Sequence, residues 1–304
     1  MKTKLFLSLA LGLTHAAVAA AKLNVVATLP DFGVIAQEVG GDNIKITTLA
    51  RGTEDPHFVD ARPSFIRVLN QADVLLEGGA ELEVGWLPPL LTGARNAKIL
   101  IDGPGRVVMS RGIRLLGLPT GPIDRSMGDV HPAGNPHYWL DPANGKIMAG
   151  QLAEVFSRLD AANADAYRAN LKKFSDRLDQ KIAGWTKALE PYRGVKVVTY
   201  HKSYEYFAER FGLFVVGQIE PKPGIEPSPT HITALIPRMK LEGVKLLLIE
   251  PNRPRRTPDY VAKATGARLL LLPDKVGAHE KVTDYIGLFD YDVAQIVAAL
   301  KESK

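Results

Sequence analysis

The chain has 304 residues, with 38 lysines and arginines, 33 aspartates and glutamates, and no cysteine. This length is sufficient for two lobes, each with its own buried core. Without cysteine we expect neither a disulfide framework nor a lipid-bearing residue, and a formal net charge of +5 is too small to indicate a nucleic-acid partner.

Residues 1–21 are predicted to be a secretory signal peptide. Lys2 and Lys4 give a positively charged start, an apolar run extends from Leu5 to Leu13, and Ala17-Val18-Ala19 provides a small-residue cleavage pattern. The apolar run is too short to span a bilayer. We therefore expect a protein that is secreted into the periplasm through a cleaved signal peptide and carries no lipid anchor.

After the signal peptide, short apolar runs with strand character alternate with helix-like stretches. The predicted strands are Leu23 to Leu29, Ile44 to Leu49, Val74 to Gly78, Lys98 to Ile101, Val195 to Tyr200, Leu213 to Gln218, Val244 to Ile249 and Leu269 to Leu272. This alternation favours parallel sheets covered by helices. The predicted fold is α/β with two lobes, each a mainly parallel sheet flanked by helices.

Between the two sets of strands, apolar residues recur at steps of three and four. They are Tyr167, Leu171, Phe174, Leu178, Ile182, Trp185 and Leu189. This spacing predicts one long amphipathic helix, which Pro191 ends. We therefore predict an N-terminal lobe over residues 22–162, a linking helix over 163–190 and a C-terminal lobe over 191–304.

Three histidines stand in distinctive motifs that are far apart in the chain. His57 ends Asp-Pro-His, His137 lies within Asn-Pro-His-Tyr-Trp-Leu-Asp-Pro, and His201 follows the apolar run that ends at Tyr200. A proline before a histidine stiffens the loop and helps to aim the imidazole. Three imidazoles and a carboxylate suit four-coordinate zinc, so these histidines are candidate metal ligands if the fold brings them together.

These motifs, with four further segments, resemble the metal-specific substrate-binding proteins of ATP-binding-cassette importers, zinc-type branch. The further segments are Tyr200 to Phe207, Gly224 to Ser228, Ile249 to Pro251 and Thr283 to Ile286. The resemblance covers essentially the whole mature chain. It implies that the long helix is a rigid spine between the lobes and that His57, His137, His201 and Asp284 bind the metal in the cleft.

The resemblance also implies a function and partners. A protein of this kind is not an enzyme: it captures a divalent metal and delivers it to a membrane permease, and a periplasmic metallochaperone is a further candidate partner. We expect a monomer. In the family that this chain resembles, histidine at the third ligand position, here His201, favours Zn²⁺ as the transported metal over Mn²⁺ or iron. An imidazole-rich shell agrees with this, because manganese prefers oxygen ligands.

Two other functions are compatible with clustered histidines: a periplasmic zinc-dependent hydrolase and a metal-binding adhesin. A catalytic zinc keeps an open water position, whereas four protein ligands leave little room for a substrate. The chain also lacks a His-Glu-x-x-His helix. The missing lipid-bearing cysteine argues against display at the cell surface.

Several other residues near the motifs have open roles. Glu250 ends a predicted strand and either orients a ligand histidine or forms a helix cap or salt bridge. Glu205 lies one helical turn after His201 and is either a supporting residue or a solvated surface group. Residues 117–136 contain four prolines and four glycines and predict a loop. We expect His131 in this loop to be solvated, with at most a transient role in collecting metal.

Overall fold

The computed structural model describes residues 21–121, 128 and 131–302. The predicted signal peptide therefore lies, except for Ala21, outside the described residues, as do Asp124 and Asp129 of the predicted loop. Two four-stranded parallel sheets form the framework. Their strands are β1 Leu23–Ala27, β2 Ile44–Thr48, β3 Val74–Glu77, β4 Arg106–Val108, β5 Lys196–Thr199, β6 Phe214–Gln218, β7 Leu246–Ile249 and β8 Arg268–Leu271.

Helices flank both sheets and connect their strands. They are α1 Pro30–Gly40, α2 Pro63–Asn70, α3 Leu87–Ala94, α4 Pro142–Leu159, α5 Ala164–Leu189, α6 Glu205–Phe211, α7 Pro229–Leu241, α8 Arg256–Thr265 and α9 Tyr285–Glu302. The α/β fold with two lobes, each a parallel sheet flanked by helices, is confirmed. Within the described residues, no helix has both the length and the apolar character that crossing a membrane requires.

The strand order explains where a binding site is expected. The sheets have the orders β2-β1-β3-β4 and β6-β5-β7-β8. In each sheet the second strand lies on one side of the first strand, and the third and fourth strands lie on the opposite side. In parallel α/β sheets, such a reversal opens a crevice at the carboxyl ends of the strands. The central strands β3 and β7 are buried along their whole length, as strands covered on both faces should be.

One predicted strand was wrong. The run from Lys98 to Ile101 is not in the sheet, because Ala97–Ile99 form a 3-10 turn and Ile101 is 78% exposed. Asn96 stabilises this turn, since its side chain accepts a hydrogen bond from the backbone N–H of Lys98. The fourth strand is β4 instead, where Arg106 forms an ion pair with Glu77 on the adjacent strand β3.

The helix α5 ties the lobes together along its 26 residues. It packs against α1 and α4 on the N-terminal side and against α9 on the C-terminal side. Near one end, Asn170 donates to the backbone oxygen of Val39 at 3.0 Å, and near the other, Trp185 donates to Asp290 at 2.8 Å. One apolar core continues from the N-terminal sheet past α5 to α9. The predicted long helix is therefore a packed spine.

A second connection between the lobes runs through the motif that contains His137. The ring nitrogen of Trp139 donates to the backbone oxygen of Asp274 at 2.7 Å, and the hydroxyl of Tyr285 donates to the backbone oxygen of Trp139 at 2.6 Å. All three residues are buried. The motif thus reaches across the boundary between the lobes.

A buried carboxyl group makes a third connection. Asp31 of α1 is completely buried, and its Oδ1 accepts a hydrogen bond from the backbone N–H of Val276 at 3.2 Å. Its Oδ2 has no hydrogen-bond partner among the described residues. Burial raises the pKa of Asp31 from 3.8 to about 7. The folded protein therefore holds a proton here that the unfolded chain releases at much lower pH.

Replacing Asp31 with Asn is expected to flatten the pH dependence of stability. In the unfolded chain the carboxyl group ionises near 3.8, whereas the folded protein keeps the proton to about pH 7, so stability falls as pH rises through this interval. Between pH 5 and pH 8 the parent should lose about 2–3 kcal/mol more than Asp31→Asn. Urea unfolding at both pH values measures this difference.

Other titrating groups are shared by both proteins, so their contributions cancel in the comparison. Asp60→Asn, at an exposed aspartate, is the matched control and should follow the parent. Parallel pH profiles for the parent and Asp31→Asn would contradict the assigned proton.

Candidate metal site

Three histidines meet at the boundary between the lobes. One side-chain nitrogen from each of His57, His137 and His201 lies within 4.8 Å of the other two. His57 lies in the loop after β2, His137 directly precedes the 3-10 turn Tyr138–Leu140, and His201 follows β5. Their exposed fractions are 6%, 3% and 4%, so this cluster is shielded from bulk water.

Two of the histidines are oriented by the same local device. In Asp55-Pro56-His57, the Asp55 Oδ1 contacts both the backbone N–H of His57 at 3.0 Å and its Nδ1 at 2.8 Å. In Asn135-Pro136-His137, the Asn135 Oδ1 contacts the backbone N–H of His137 at 2.9 Å and its Nδ1 at 2.8 Å. A side chain two residues earlier in the chain therefore fixes each ring.

The third histidine is oriented from a neighbouring strand. His201 follows β5, Glu220 follows β6, and the two strands are paired in the sheet. The Glu220 Oε2 lies 3.1 Å from His201 Nδ1. An oxygen acceptor at Nδ1 keeps the proton on that nitrogen and leaves the Nε2 lone pair free for a metal. All three rings meet this condition, so they are arranged as ligands for one cation.

Polar residues follow all four strands of the C-terminal sheet. They are His201, Glu220, Glu250 and Asp274, after β5, β6, β7 and β8 respectively. Because the carboxyl ends of parallel strands share one edge, the sheet presents these four side chains toward the same region. All four are buried. His201 was predicted as a ligand and Glu250 as a possible supporting residue, whereas neither Glu220 nor Asp274 was predicted to act at the site.

Arg253 compensates the buried negative charge beside the histidines. Its Nη1 lies 3.2 Å from Asp55 and 4.0 Å from Glu220, and its Nε lies 3.8 Å from Glu250. Burial by itself raises the pKa of Asp55, but hydrogen bonds from His57 and the charge of Arg253 outweigh it and hold that pKa well below 3.8. The pKa of Glu220 is also lowered, since the hydrogen bond from His201 and the nearby charges outweigh burial.

Two glutamates whose roles the sequence left open lie outside the histidine cluster. Glu250 accepts a hydrogen bond from the Ser203 hydroxyl at 2.5 Å, so its contact is with the residues after His201 and not with the ring. Glu205 accepts from the Asn135 side-chain nitrogen at 2.9 Å. Since Asn135 orients His137, Glu205 supports the cluster indirectly.

The predicted ligand Asp284 is not placed with the histidines. Its side chain is exposed, and its Oδ1 accepts a hydrogen bond from the backbone N–H of Gly287 at 2.8 Å, at the start of α9. An aspartate in this position stabilises a helix end, so this carboxylate acts as an N-cap in the described structure, and its role as a metal ligand stays a prediction. The buried carboxylate of Asp274 accepts from Lys275 Nζ through both oxygens, at 2.8 and 2.7 Å.

His131 lies beside the cluster, and the expectation that it is solvated was wrong. It is 8% exposed, and its ring centroid is 5.1 Å from that of His57. Burial lowers the pKa of His131 to about 4. A cavity of about 40 Å³ is lined by this histidine together with His137 and His201. Nothing in the local sequence distinguishes a buried loop histidine from an exposed one.

The similarity to known proteins identifies the family. Residues 25–299 match the family described as the zinc-uptake complex component A, periplasmic, or ZnuA. The chain belongs to the ZnuA family. This match covers both lobes and all three clustered histidines. The family consists of substrate-binding proteins of importers, which work with a membrane permease and an ATPase and are periplasmic or extracellular, and which are not enzymes.

Relatives in this family differ in the metal that their names give. The chain is 29% identical over 310 residues to the high-affinity zinc uptake system protein ZnuA of Paracoccus denitrificans, with 91% of each chain covered. It is 25% identical over 287 residues to the manganese ABC transporter substrate-binding lipoprotein PsaA of Streptococcus pneumoniae serotype 4, covering 92% of this chain and 89% of PsaA. The choice between zinc and manganese is therefore inferred from the ligands of the site.

Solved structures agree on the fold. A crystal structure of ZnuA has a TM-score of 0.76 at 24% identity and covers 91% of this chain and 98% of its own. A manganese-bound periplasmic metal binding protein from Candidatus Liberibacter asiaticus has a TM-score of 0.77 at 23% identity, covering 92% and 100%. These likenesses show that the chain has the ZnuA fold.

Removing the oxygen that orients His57 should weaken metal binding without unfolding the protein. Asp55→Ala deletes the acceptor for His57 Nδ1, and loss of such a partner typically reduces metal affinity by about 10- to 100-fold. Asp55→Asn retains an oxygen at this position and should recover part of the affinity. Zinc titration against a chromophoric chelator measures the change.

Asp60→Ala, at an exposed aspartate five positions away in the chain, serves as the control. If Asp55→Ala bound zinc as tightly as Asp60→Ala, orientation by Asp55 would have no part in metal binding.

Proposed function

We propose that this protein captures Zn²⁺ through His57, His137 and His201 and delivers it to the permease of its importer. The observation that carries this proposal is the set of three buried imidazoles with Nδ1 held by an oxygen and one nitrogen each within 4.8 Å of the others. Nitrogen ligands in this arrangement suit zinc, whereas manganese is better served by oxygen.

The charges around the histidines also favour a dication. Three neutral imidazoles add no negative charge, but the carboxylates of Asp55 and Glu220 contact Nδ1 of His57 and His201 respectively. Such carboxylates raise the basicity of the ligand nitrogens and partly neutralise the metal. Arg253 balances these carboxylates, so that the polar cluster is not strongly negative before metal arrives.

The oligomeric state, the cellular location and the source of the metal are proposed on the same basis. Because one chain supplies all three histidines, we propose a monomer that acts in the periplasm and receives zinc either directly or from a metallochaperone. The lobe limits 22–162 and 191–304, on either side of a linking segment 163–190, remain part of this proposal. A hydrolase is disfavoured, because the described cavity at the histidines, about 40 Å³, holds little more than a water molecule and leaves no room for a substrate.

Replacing His57, His137 or His201 with Ala should each reduce zinc affinity by at least about 100-fold, or about 2.7 kcal/mol. Each change removes one of three nitrogen ligands and leaves the metal with an incomplete shell. The parent should bind one zinc per chain. Competition with a chromophoric chelator gives affinity and stoichiometry, and circular dichroism checks that the variants are folded.

Two variants test the boundaries of this ligand set. His279→Ala, at a histidine that contacts Tyr291, should bind zinc like the parent. Asp284→Asn retains an acceptor for the helix end and should also bind like the parent. Parental affinity in all three cluster variants would remove these histidines from the ligand set, and a large loss in Asp284→Asn would return Asp284 to it.

A further inference from the structure

The two lobes touch backbone to backbone at a glycine of the N-terminal lobe. Gly52 is buried in the loop after β2, and the segment that contains Gly277 follows β8 in the C-terminal lobe. A Cβ atom added at Gly52 would lie 2.2 Å from the carbonyl carbon of Gly277, 2.3 Å from the backbone oxygen of Val276 and 2.6 Å from the backbone nitrogen of Ala278. Real Cβ atoms essentially never make contacts below 3.0 Å. Only glycine therefore allows the two lobes to approach this closely.

The segment on the opposite side is held in place. Lys275 to Ala278 form a four-residue turn, because the backbone N–H of Ala278 donates to the backbone oxygen of Lys275 at 3.2 Å. Gly277 has a φ of +78° at the third position of this turn, which is typical of a type II turn. The backbone N–H of Val276 also donates to the buried Asp31 at 3.2 Å. Because the facing atoms belong to this fixed backbone, no side-chain rotation relieves an overlap with them.

The loop that contains Gly52 also carries part of the metal site. Asp55 and His57 follow three and five positions later, and Asp55 orients the His57 ring. The same loop meets the C-terminal lobe a second time, where Asp55 lies 3.2 Å from Arg253. This ion pair joins two side chains that can adjust to a small shift, whereas a contact between two backbones cannot. The glycine contact is therefore the more rigid of the two constraints on the position of His57 relative to the C-terminal lobe.

The size of the overlap indicates how strongly the metal site depends on this glycine. To bring the shortest contact to 3.0 Å, the loop and the turn must separate by at least 0.8 Å, the difference between 3.0 and 2.2 Å. A binding site must hold its groups within about 0.5 Å of the productive geometry. One nitrogen of His57 lies within 4.8 Å of one nitrogen of His201 in the other lobe. A shift of the loop would therefore misplace His57 while every ligand stays present.

We propose that Gly52 is a positioning residue of the metal site: its lack of a side chain lets the N-terminal loop lie against the turn at Gly277 and so sets the distance between the ligands of the two lobes. This inference rests on the proposed function of His57, His137 and His201. Gly52 is not itself a ligand, because it acts through the loop that carries His57.

The experiment compares the parent with Gly52→Ala and uses Zn²⁺ and Co²⁺ alone as probes. Competition with a chromophoric chelator measures the zinc affinity, and the visible spectrum of bound Co²⁺ reports the geometry of the ligands. We expect one zinc still to bind per chain, with an affinity reduced by about 10- to 100-fold, as for other changes that misplace a ligand without removing it. The Co²⁺ spectrum should change as well.

Gly85→Ala is the matched control in the same lobe. A Cβ atom added at Gly85 would lie 3.6 Å from the backbone oxygen of His57, which is an ordinary van der Waals contact. This change therefore adds the same methyl group near the same ligand without pressing on the C-terminal lobe. Its zinc affinity and Co²⁺ spectrum should equal those of the parent.

A second pair of variants tests the contact from the C-terminal lobe and decides the question if Gly52→Ala does not fold. Gly277→Ala places a side chain at a φ of +78°, which L-residues rarely adopt, so the turn must change its conformation. Gly266 ends α8 with a φ of +77°, and a Cβ atom added there meets no packed atom of the described chain within 4 Å. Gly266→Ala thus carries the same backbone strain away from the contact. Only Gly277→Ala should lower the zinc affinity and change the Co²⁺ spectrum.

A purely structural role of the contact predicts a different result. In that case Gly52→Ala and Gly277→Ala would lower the melting temperature of the metal-free protein but keep the parental zinc affinity and Co²⁺ spectrum. This outcome would overturn the proposal.

Failure of this inference is distinguishable from failure of the proposed function. If His57→Ala lost zinc while Gly52→Ala bound it as tightly as Gly85→Ala, only the positioning role would be lost. If the parent bound no zinc, or if His57→Ala retained parental affinity, the three-histidine site itself would be wrong.

Discussion

The hydrogen bond that Nδ1 of each clustered histidine donates to a side-chain oxygen is the constraint on which the site depends. Without it, each ring could rotate or exchange its tautomer, and the three lone pairs would not face one another. Asp55, Asn135 and Glu220 supply these oxygens. The two Pro-His motifs use a contact within a single loop, while His201 uses a contact between neighbouring strands.

Arg253 connects the residues that orient the histidines in the two lobes. Its guanidinium lies near Asp55 in the N-terminal lobe and near Glu220 and Glu250 in the C-terminal lobe. Two of these carboxylates orient histidines from opposite sides of the boundary. The arginine thus couples the positions of His57 and His201 electrostatically. Its exposed fraction of 17% means that solvent screens this coupling only partly.

The fold and most of the cluster followed from sequence because they depend on strong local patterns. Alternating apolar runs predicted seven strands close to their observed places, and the Pro-His motifs pointed to His57 and His137. The error at Lys98 to Ile101 arose because four apolar or amphipathic residues were enough to suggest a strand, whereas the Asn96 turn and the exposure of Ile101 depend on tertiary packing. Position in space, not in sequence, decides such cases.

The same limit applies to Asp284, Glu220 and His131. Asp284 precedes a helix, and a carboxylate there is as well suited to capping as to ligation. Glu220 orients His201 from 19 positions away, which only the pairing of β5 and β6 makes possible. His131 lies in a segment rich in proline and glycine, where sequence favours exposure and only the surrounding lobes create burial.

The shared core along α5 has a consequence for kinetics. Trp139, Asp31 and the spine helix join the lobes at several points, so a wide hinge motion would have to break buried contacts together. We therefore expect a bound ion to leave through small loop displacements and to stay long in the site even when the surrounding metal concentration falls. Rapid turnover by the importer would then require the permease to lower the barrier to release, so that docking, rather than spontaneous opening, would set the rate of transfer.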